Sequence, residues 1–400
     1  MSNILISIII ATKDRYSTLV ECVKSLSKNY NNEKVELIIH DNSDNVDTEV
    51  ISYIRKSFQF VNYYSCTLPL SQSENYNKGL EKARGYYVTM IGDDDTIADG
   101  LFNLLNLMYK YDLDAIYSGF STYYWPGIKL RFNNLNTQIS IPKNKVTNQI
   151  LDPQFLQSLC LRNGCTELGL LPRLYYGIIK RTCLIELKNA AGTFFPGPSP
   201  DMANAFSASF FIKKYWHISY PIFIAGNSPS SAAGLGLQGR HVGAIEKMNF
   251  ISDYTKRNWN IFIPKFWSGE TIWAQSVYEA CLKSGFEKLF EKNNFLKLYA
   301  KCLVFHFSFR SLIFNSFKAY NRNSNIIGKI DNINKILFYI ILFINKRAVY
   351  FFINRVKMLN PFAQKKQSNQ SASFFSIHDA ERLVSVNVSS NNNFFAVCER

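Results

Sequence analysis

"ILISIIIATKDR", residues 4–15, decides the fold. Its apolar, mostly β-branched run lacks the alternation of a half-exposed strand, which marks a strand covered on both faces of a parallel sheet. A polar turn follows at once. A parallel neighbour requires a crossover, and "YSTLVECVKSLSKN" supplies a helix: Leu19, Val23 and Leu26 recur on one face, with Ser17 or Thr18 placed as its cap.

Outward from this unit the pattern repeats. "VELIIHDNSD" (35–44) is a strand ending in a polar turn, and "TEVISYIRKSF" a helix. "VNYYSC" and "SENYNKGLEKAR" give strand and helix again, and "GYYVTMIG" runs into Asp93, Asp94 and Asp95. The order βαβαβαβ predicts a doubly wound α/β sheet with right-handed crossovers. Ligands of such sheets bind beyond the carboxyl ends of the strands, where the turns at 12–15, 41–44 and 93–95 would share one rim. Further on, "LFNLLNLMYKY" and "DMANAFSASFFIKKY" read as helices, and "DAIYSGFSTYYW" and "WHISYPIFIAG" each as one strand. Residues 125–160 show no order, and 226–243 read as a Gly/Ser-rich loop.

The chain has 400 residues, enough for two domains or one with a large appendage. Hydrophobic content of 47% excludes a largely disordered protein, and a mean hydropathy of −0.09 argues against a polytopic membrane protein. Eight cysteines with no CxxC pair read as reduced thiols of a cytosolic protein. The N-terminus lacks the basic segment and cleavage site of a signal peptide. Of the net charge of +15, a net of +13 lies between Lys283 and Lys366, where 16 Lys and Arg face only Glu287, Glu291 and Asp331. This stretch is helical and aromatic, and its longest apolar run, Ile336 to Ile344, is too short to span a bilayer. Four segments follow: 1–120, an α/β half; 121–250, a second half; 251–362, a basic aromatic helical region; and 363–400, a flexible tail rich in Ser, Asn and Gln.

Three adjacent carboxylates repel one another unless a cation sits among them. Oxygen-only ligation at a strand end suits Mg²⁺ or Mn²⁺ with phosphate oxygens completing the shell. The competing reading is a solvated acidic turn that caps the next helix.

"SIIIATKDR", "IIHDNSD", "NKGLEKARGYYV" and "IGDDD", in this order and at these intervals, resemble the nucleotide-diphospho-sugar domain of family 2 glycosyltransferases, a GT-A fold with a doubly wound mixed sheet. Thr12 and Arg15 match the family's first turn, Asp41, Ser43 and Asp44 its second, and Asn77, Gly79, Ala83 and Gly85 its third helix. Gly92 stands where the family's acidic motif often has its first Asp. The resemblance implies that Thr12 and Asp41 hold the nucleotide base, that Asp94 contacts the ribose and that Asp95 binds the metal, with Arg15 and Asp93 completing the donor set. It further implies an inverting transfer from a nucleotide-sugar, UDP-linked, to a glycan or lipid-linked glycan of bacterial surface polysaccharide. By the same resemblance 1–120 is the nucleotide-sugar-binding half and 121–250 the acceptor-binding half.

Inverting transfer needs a base opposite the leaving group. Asp201, after the Pro-rich turn "FFPGPSP", occupies the place where the family shows its Glu-Asp or Pro-Asp pair, and a helix N-cap is the alternative. "GLGLQG" (234–239) matches GxGxxG but lacks the strand and βαβ unit of a dinucleotide site. A mobile loop there would bring His241 to the metal or Arg240 to the diphosphate. The basic, aromatic helices suit a peripheral protein at the cytoplasmic face of the inner membrane, with a helical subdomain bearing a solvated basic face as the alternative; their apolar density exceeds what nucleic-acid binding requires. Two other function classes compete: a nucleotidyltransferase, which would show a Gly-rich phosphate loop where "ATKDR" has no Gly, and a non-catalytic membrane scaffold on a transferase-like fold.

Overall fold

The computed structural model describes residues 4–128, 139–142, 147–238, 242–248, 250–359 and 375–390. The strands and helices of the first hundred residues form where the periodicity puts them: β1 (Ile6–Thr12), α1 (Tyr16–Tyr30), β2 (Val35–Asp41), α2 (Thr48–Ser57), β3 (Val61–Ser65), α3 (Gln72–Leu80) and β4 (Tyr87–Ile91). β1 to β4 are mutually parallel, and β5 (Thr96–Ile97) and α4 (Leu101–Lys110) follow.

The buried strands explain the continuous apolar runs. In β1, Ile6, Ile8 and Ile10 enter one core while Ile9 and Ala11 enter the other. Strand residues alternate faces, so with a core on each side every position is covered, and the polar Ser7 of β1 is accommodated by donating to Glu36 at 2.6 Å. Each fully buried Ile contributes about 1.5–3 kcal/mol, which makes this strand the organising element.

The second half adds β6 (Ala115–Tyr117), β7 (Phe120–Tyr124), β8 (Ile139–Ser140), β9 (Asn148–Leu151), α5 (Pro153–Arg162), β10 (Gly177–Lys180), α6 (Arg181–Ala191), α7 (Pro200–Ala208), β11 (Tyr215–Ile218) and β12 (Phe223–Asn227). The main sheet runs β3-β2-β1-β4-β10-β6-β11-β9, and a second runs β5-β12-β7-β8. β10 is antiparallel to both its neighbours, so the sheet is mixed.

Two single strands of the sequence reading are in fact pairs. "DAIYSGFSTYYW" breaks at Gly119, whose φ of 73° is a left-handed turn, and "WHISYPIFIAG" breaks at Ser219–Pro221; each break passes the chain from one sheet to the other. Within the stretch read as irregular, Asp152 caps α5 through the N–H of Gln154, with Pro153 at its first position. The loop 226–243 contains a short helix, α8 (Ala232–Leu237), capped by Ser231. α1 begins at Arg15 with no side-chain cap, so neither Ser17 nor Thr18 serves as one; the Thr18 hydroxyl bonds back to the Arg15 carbonyl.

The C-terminal region is helical as expected: α9 (Asp253–Arg257), α10 (Gly269–Lys283), α11 (Glu287–Phe290), α12 (Phe295–Phe305), α13 (Arg310–Tyr320) and α14 (Ile326–Leu359). The expectation of a flexible tail over 363–400 fails for part of it. Residues Ile377–Ser390 form α15, which buries Ile377, Ala380, Val384 and Val388 in the core beneath α1. Their i, i+3, i+4 spacing is an amphipathic signal hidden by the polar composition around it. His378 Nε2 lies 2.8 Å from Glu21, and Asn29 Nδ2 donates to Glu381 at 2.8 Å.

Candidate active site

Parallel register brings the strand ends together: Thr12 pairs with Asp41 and Ile10 with Ile91, so the turns that follow share one rim. The chain knits them directly. Asp14 adopts φ 54°, which a short polar side chain tolerates, and its Oδ1 accepts from the N–H groups of Asp44 and Asn45. Its own N–H donates to Ser43 Oγ at 2.7 Å, and Lys13 pairs with Asp44 at 2.8 Å.

The acidic triplet is divided into three environments. Asp93 is fully buried and is gripped by the Arg15 guanidinium, whose Nε reaches Oδ2 at 3.0 Å and whose Nη2 contacts Oδ1; the Thr12 hydroxyl donates to Oδ2 as well. Burial pushes the Asp93 carboxyl up, with Arg15 pulling it down and Asp94 pushing it further up. Asp95 is also fully buried. Its Oδ1 accepts from Gly226 N at 2.7 Å, and its Oδ2 from Gly92 N, Tyr175 Oη at 3.1 Å and Tyr176 Oη at 3.0 Å. Burial, then the neighbouring Asp94, raise its pKa.

Asp94 alone of the three lines the cavity. Its Oδ2 accepts from Ser228 N at 3.0 Å and sits 3.7 Å from Arg15 Nη1, while Oδ1 has no protein donor among the described residues. Its main chain is held too, since its carbonyl accepts from Trp125 Nε1 at 2.8 Å and packs so tightly on Gly226 that a Cβ there would lie 1.7 Å from the oxygen. The cation that the triplet demands is therefore largely Arg15, 78 positions earlier in the chain.

These contacts redistribute the expected roles. Asp41 is 1% exposed and does not line the cavity. Its Oδ1 accepts from the N–H and hydroxyl of Ser43, and its Oδ2 from Tyr16 and Tyr63 at 2.8 and 2.7 Å, so its acceptor positions are filled by its own chain. Asp95, expected to hold a metal, is enclosed by four donors in the same way. Thr12 and Arg15 line the cavity while bonded to Asp93. His241 and Arg240 lie outside the described residues.

The cavity has a volume of about 660 Å³, within the range of small-molecule sites. Asp201 lines it from the first turn of α7. Ser199 is the N-cap, so Asp201 does not cap the helix. α7 is fixed from the C-terminal region, as Ser199 N donates to Ser276 Oγ of α10 at 2.9 Å. No protein donor among the described residues bonds the Asp201 carboxylate. Burial pushes it up to about 6, against a downward pull from Arg173. Arg173, also in the cavity wall, stacks 4.3 Å from the Tyr117 ring centroid and donates to the carbonyls of Leu171 and Gly169.

Arg173, Tyr175, Tyr176, Trp125 and the Gly226–Ser228 backbone escaped the sequence reading. Tyr175 and Tyr176 reach Asp95 from the turn that precedes β10 of the main sheet, whereas Trp125 and Gly226–Ser228 reach Asp94 and Asp95 from the ends of β7 and β12 in the second. A signal did exist in the pair "YY" before "GIIK", because Tyr176 needs φ 60°, a conformation that marks a built turn.

Among the described residues no three His, Cys, Asp or Glu side chains stand in a geometry that could hold a metal ion. The single free carboxylate oxygen of Asp94 fits a divalent ion that arrives chelated by a diphosphate, and does not fit an ion held by the triplet as a group.

Residues 7–162 match the family profile described as Glycosyl transferase family 2. A GalNAc(5)-diNAcBac-PP-undecaprenol beta-1,3-glucosyltransferase of Campylobacter jejuni is 28% identical over 102 residues, covering 25% of this chain. The chain matches only 33% of that relative's length. Among solved structures, S. aureus TarS 1–349 in complex with UDP-GlcNAc aligns with a TM-score of 0.47 and 14% identity, over 84% of this chain and 82% of that one. The same protein in complex with UDP gives 0.43 and 14%, over 84% and 81%. The profile match makes residues 7–162 similar to a family 2 glycosyltransferase domain, and in this chain those residues build the parallel strands of the mixed α/β sheet and the rim on which their motifs meet.

Proposed function

We propose that this chain is an inverting glycosyltransferase that moves a sugar from a UDP-linked donor to a lipid-linked glycan in bacterial surface polysaccharide synthesis, at the cytoplasmic face of the inner membrane. The observation that carries the reading is one cavity lined both by Asp94, with a carboxylate oxygen unfilled among the described residues, and by Asp201, with no protein donor among them. The name of the C. jejuni relative, a glucosyltransferase of a PP-undecaprenol-linked glycan, supports a lipid-borne acceptor.

In this reading Asp201 accepts the proton of the acceptor hydroxyl as its oxygen attacks the anomeric carbon. The new C–O bond forms on the face opposite the breaking bond to the diphosphate, so the configuration inverts. A carboxyl that titrates near 6 is mostly ionised at neutral pH yet more basic than an ordinary Asp, as a general base requires. Lys13 and Arg15 in the cavity wall favour an anionic donor. A Mn²⁺ or Mg²⁺ ion shared between the diphosphate and Asp94 would stabilise the charge of the leaving oxygens. Asp41, Asp93 and Asp95 serve by holding the rim in shape.

The test is the anomeric configuration of the product formed from a UDP-sugar and a polyprenyl-diphosphate glycan, with and without EDTA. Inversion with loss of turnover in chelator is expected. Retention of the donor's configuration, or full turnover in EDTA, overturns the mechanism.

A further inference from the structure

The fold uses one face of α14 and leaves another bare. Ile336 and Phe343, each 7% exposed, lie on the side packed against α12, and Tyr339 accepts a hydrogen bond from Asn294 at 3.0 Å. Elsewhere on the helix, Ile326, Ile330, Ile333, Leu337, Ile341 and Ile344 recur every three or four residues and are 47% to 76% exposed. That spacing places them on one stripe. Phe351 and Phe352, 60% and 68% exposed, extend it to about 40 Å at 1.5 Å per residue. Soluble surfaces seldom carry a contiguous apolar band of this length without a partner.

The charge identifies the partner. Lys329, Lys335, Lys346 and Arg355 are exposed along the same helix, within the segment of net +13. A second copy laid on the stripe would bring two such segments together. No helix among the described residues is long and apolar enough to cross a membrane. An apolar stripe flanked by Lys and Arg on a non-spanning helix is the chemistry of an element lying in the plane of an anionic lipid surface.

We infer that the Ile326–Phe352 stripe of α14 docks this protein on an anionic phospholipid leaflet. The inference rests on the proposed lipid-borne acceptor only for its biological purpose; docking itself needs no sugar nucleotide.

The test is co-sedimentation of the full chain with vesicles of equimolar phosphatidylcholine and phosphatidylglycerol, against pure phosphatidylcholine. The unmodified chain is expected to pellet with the mixed vesicles and to be released by high salt. Ile330→Asp, Leu337→Asp and Ile341→Asp combined should lower the partition coefficient by at least about tenfold. Lys329→Gln with Lys346→Gln should lower it by about fivefold per charge. Circular dichroism and UDP affinity of the variants should match the parent, since these side chains lie in exposed positions. No pelleting of the parent, equal pelleting on neutral vesicles, or a triple variant that pellets like the parent overturns the inference. So does a parent dimer that Leu337→Asp converts to monomer, which would assign the stripe to a second copy. A failed UDP titration beside normal vesicle binding would instead remove the glycosyltransferase reading and leave the docking surface standing.

Discussion

Asp95 and Asp201 are both carboxylates sunk in the molecule, and they are opposites. Asp95 accepts from two backbone N–H groups and two tyrosine hydroxyls, whereas Asp201 meets no protein donor among the described residues. Burial raises the pKa of each, so burial alone does not separate a structural acid from a reactive one. The donors separate them. A carboxylate ringed by its own chain holds loops in place, while one that lines a cavity without protein donors and is raised in pKa stays available to a ligand.

The sharpest way to break this contrast is Asp201→Asn. Transfer should fall by about 10²–10⁴-fold, with UDP affinity unchanged by isothermal calorimetry; unaltered turnover would remove Asp201 from the chemistry. Asp94→Ala should lower donor kcat/KM by about 10²-fold, with the fold intact by circular dichroism. Asp95→Ala should act on stability instead, costing on the order of 2–4 kcal/mol in urea unfolding because four buried donors lose their acceptor. If Asp95→Ala spared the midpoint and abolished metal-dependent UDP binding, the roles of Asp94 and Asp95 would be exchanged.

Smaller effects sharpen the picture. The Asp201 carboxyl is raised from an ordinary value of 3.8 to about 6 in the fold, so the folded state binds the extra proton between those values. Stability therefore falls as pH rises through that window, and transfer activity rises as the base ionises near 6. Asp201→Asn should raise Tm at pH 8, by on the order of 1–3 kcal/mol of stability, and the gain should vanish below about pH 4. Arg15→Lys, which keeps the charge and loses the fork on Asp93, should cost about 1 kcal/mol; a larger loss of UDP affinity than of stability would give Arg15 a direct hand in donor binding.

The first sheet was readable because its strands are buried on both sides, and Ile6 to Ala11 leave no ambiguity about period. The rim followed from the same reading, since parallel strands must end together. What each rim residue does was not readable. Asp41 and Asp95 match the motif, yet their partners Tyr16, Tyr63, Tyr175 and Tyr176 come from distant positions that carry no local pattern. The sheet changes at Gly119 and Pro221 were missed because a break of two to four residues does not disturb hydrophobic periodicity. α15 was missed because its four buried positions lie between flanking stretches rich in Ser, Asn and Gln.

That last helix bears on how the molecule is made. Glu21 of α1 meets His378 across 357 positions of chain, so the seam between α1 and α15 closes only when both ends of that stretch have been made. A polypeptide cut anywhere before Ile377 would leave Glu21 and Asn29 without His378 and Glu381 and open the groove that takes Ile377, Ala380, Val384 and Val388, a surface for chaperones and aggregation to find. Shortened versions of this protein made for crystallisation should therefore keep residues 375–390, by tethering them if necessary.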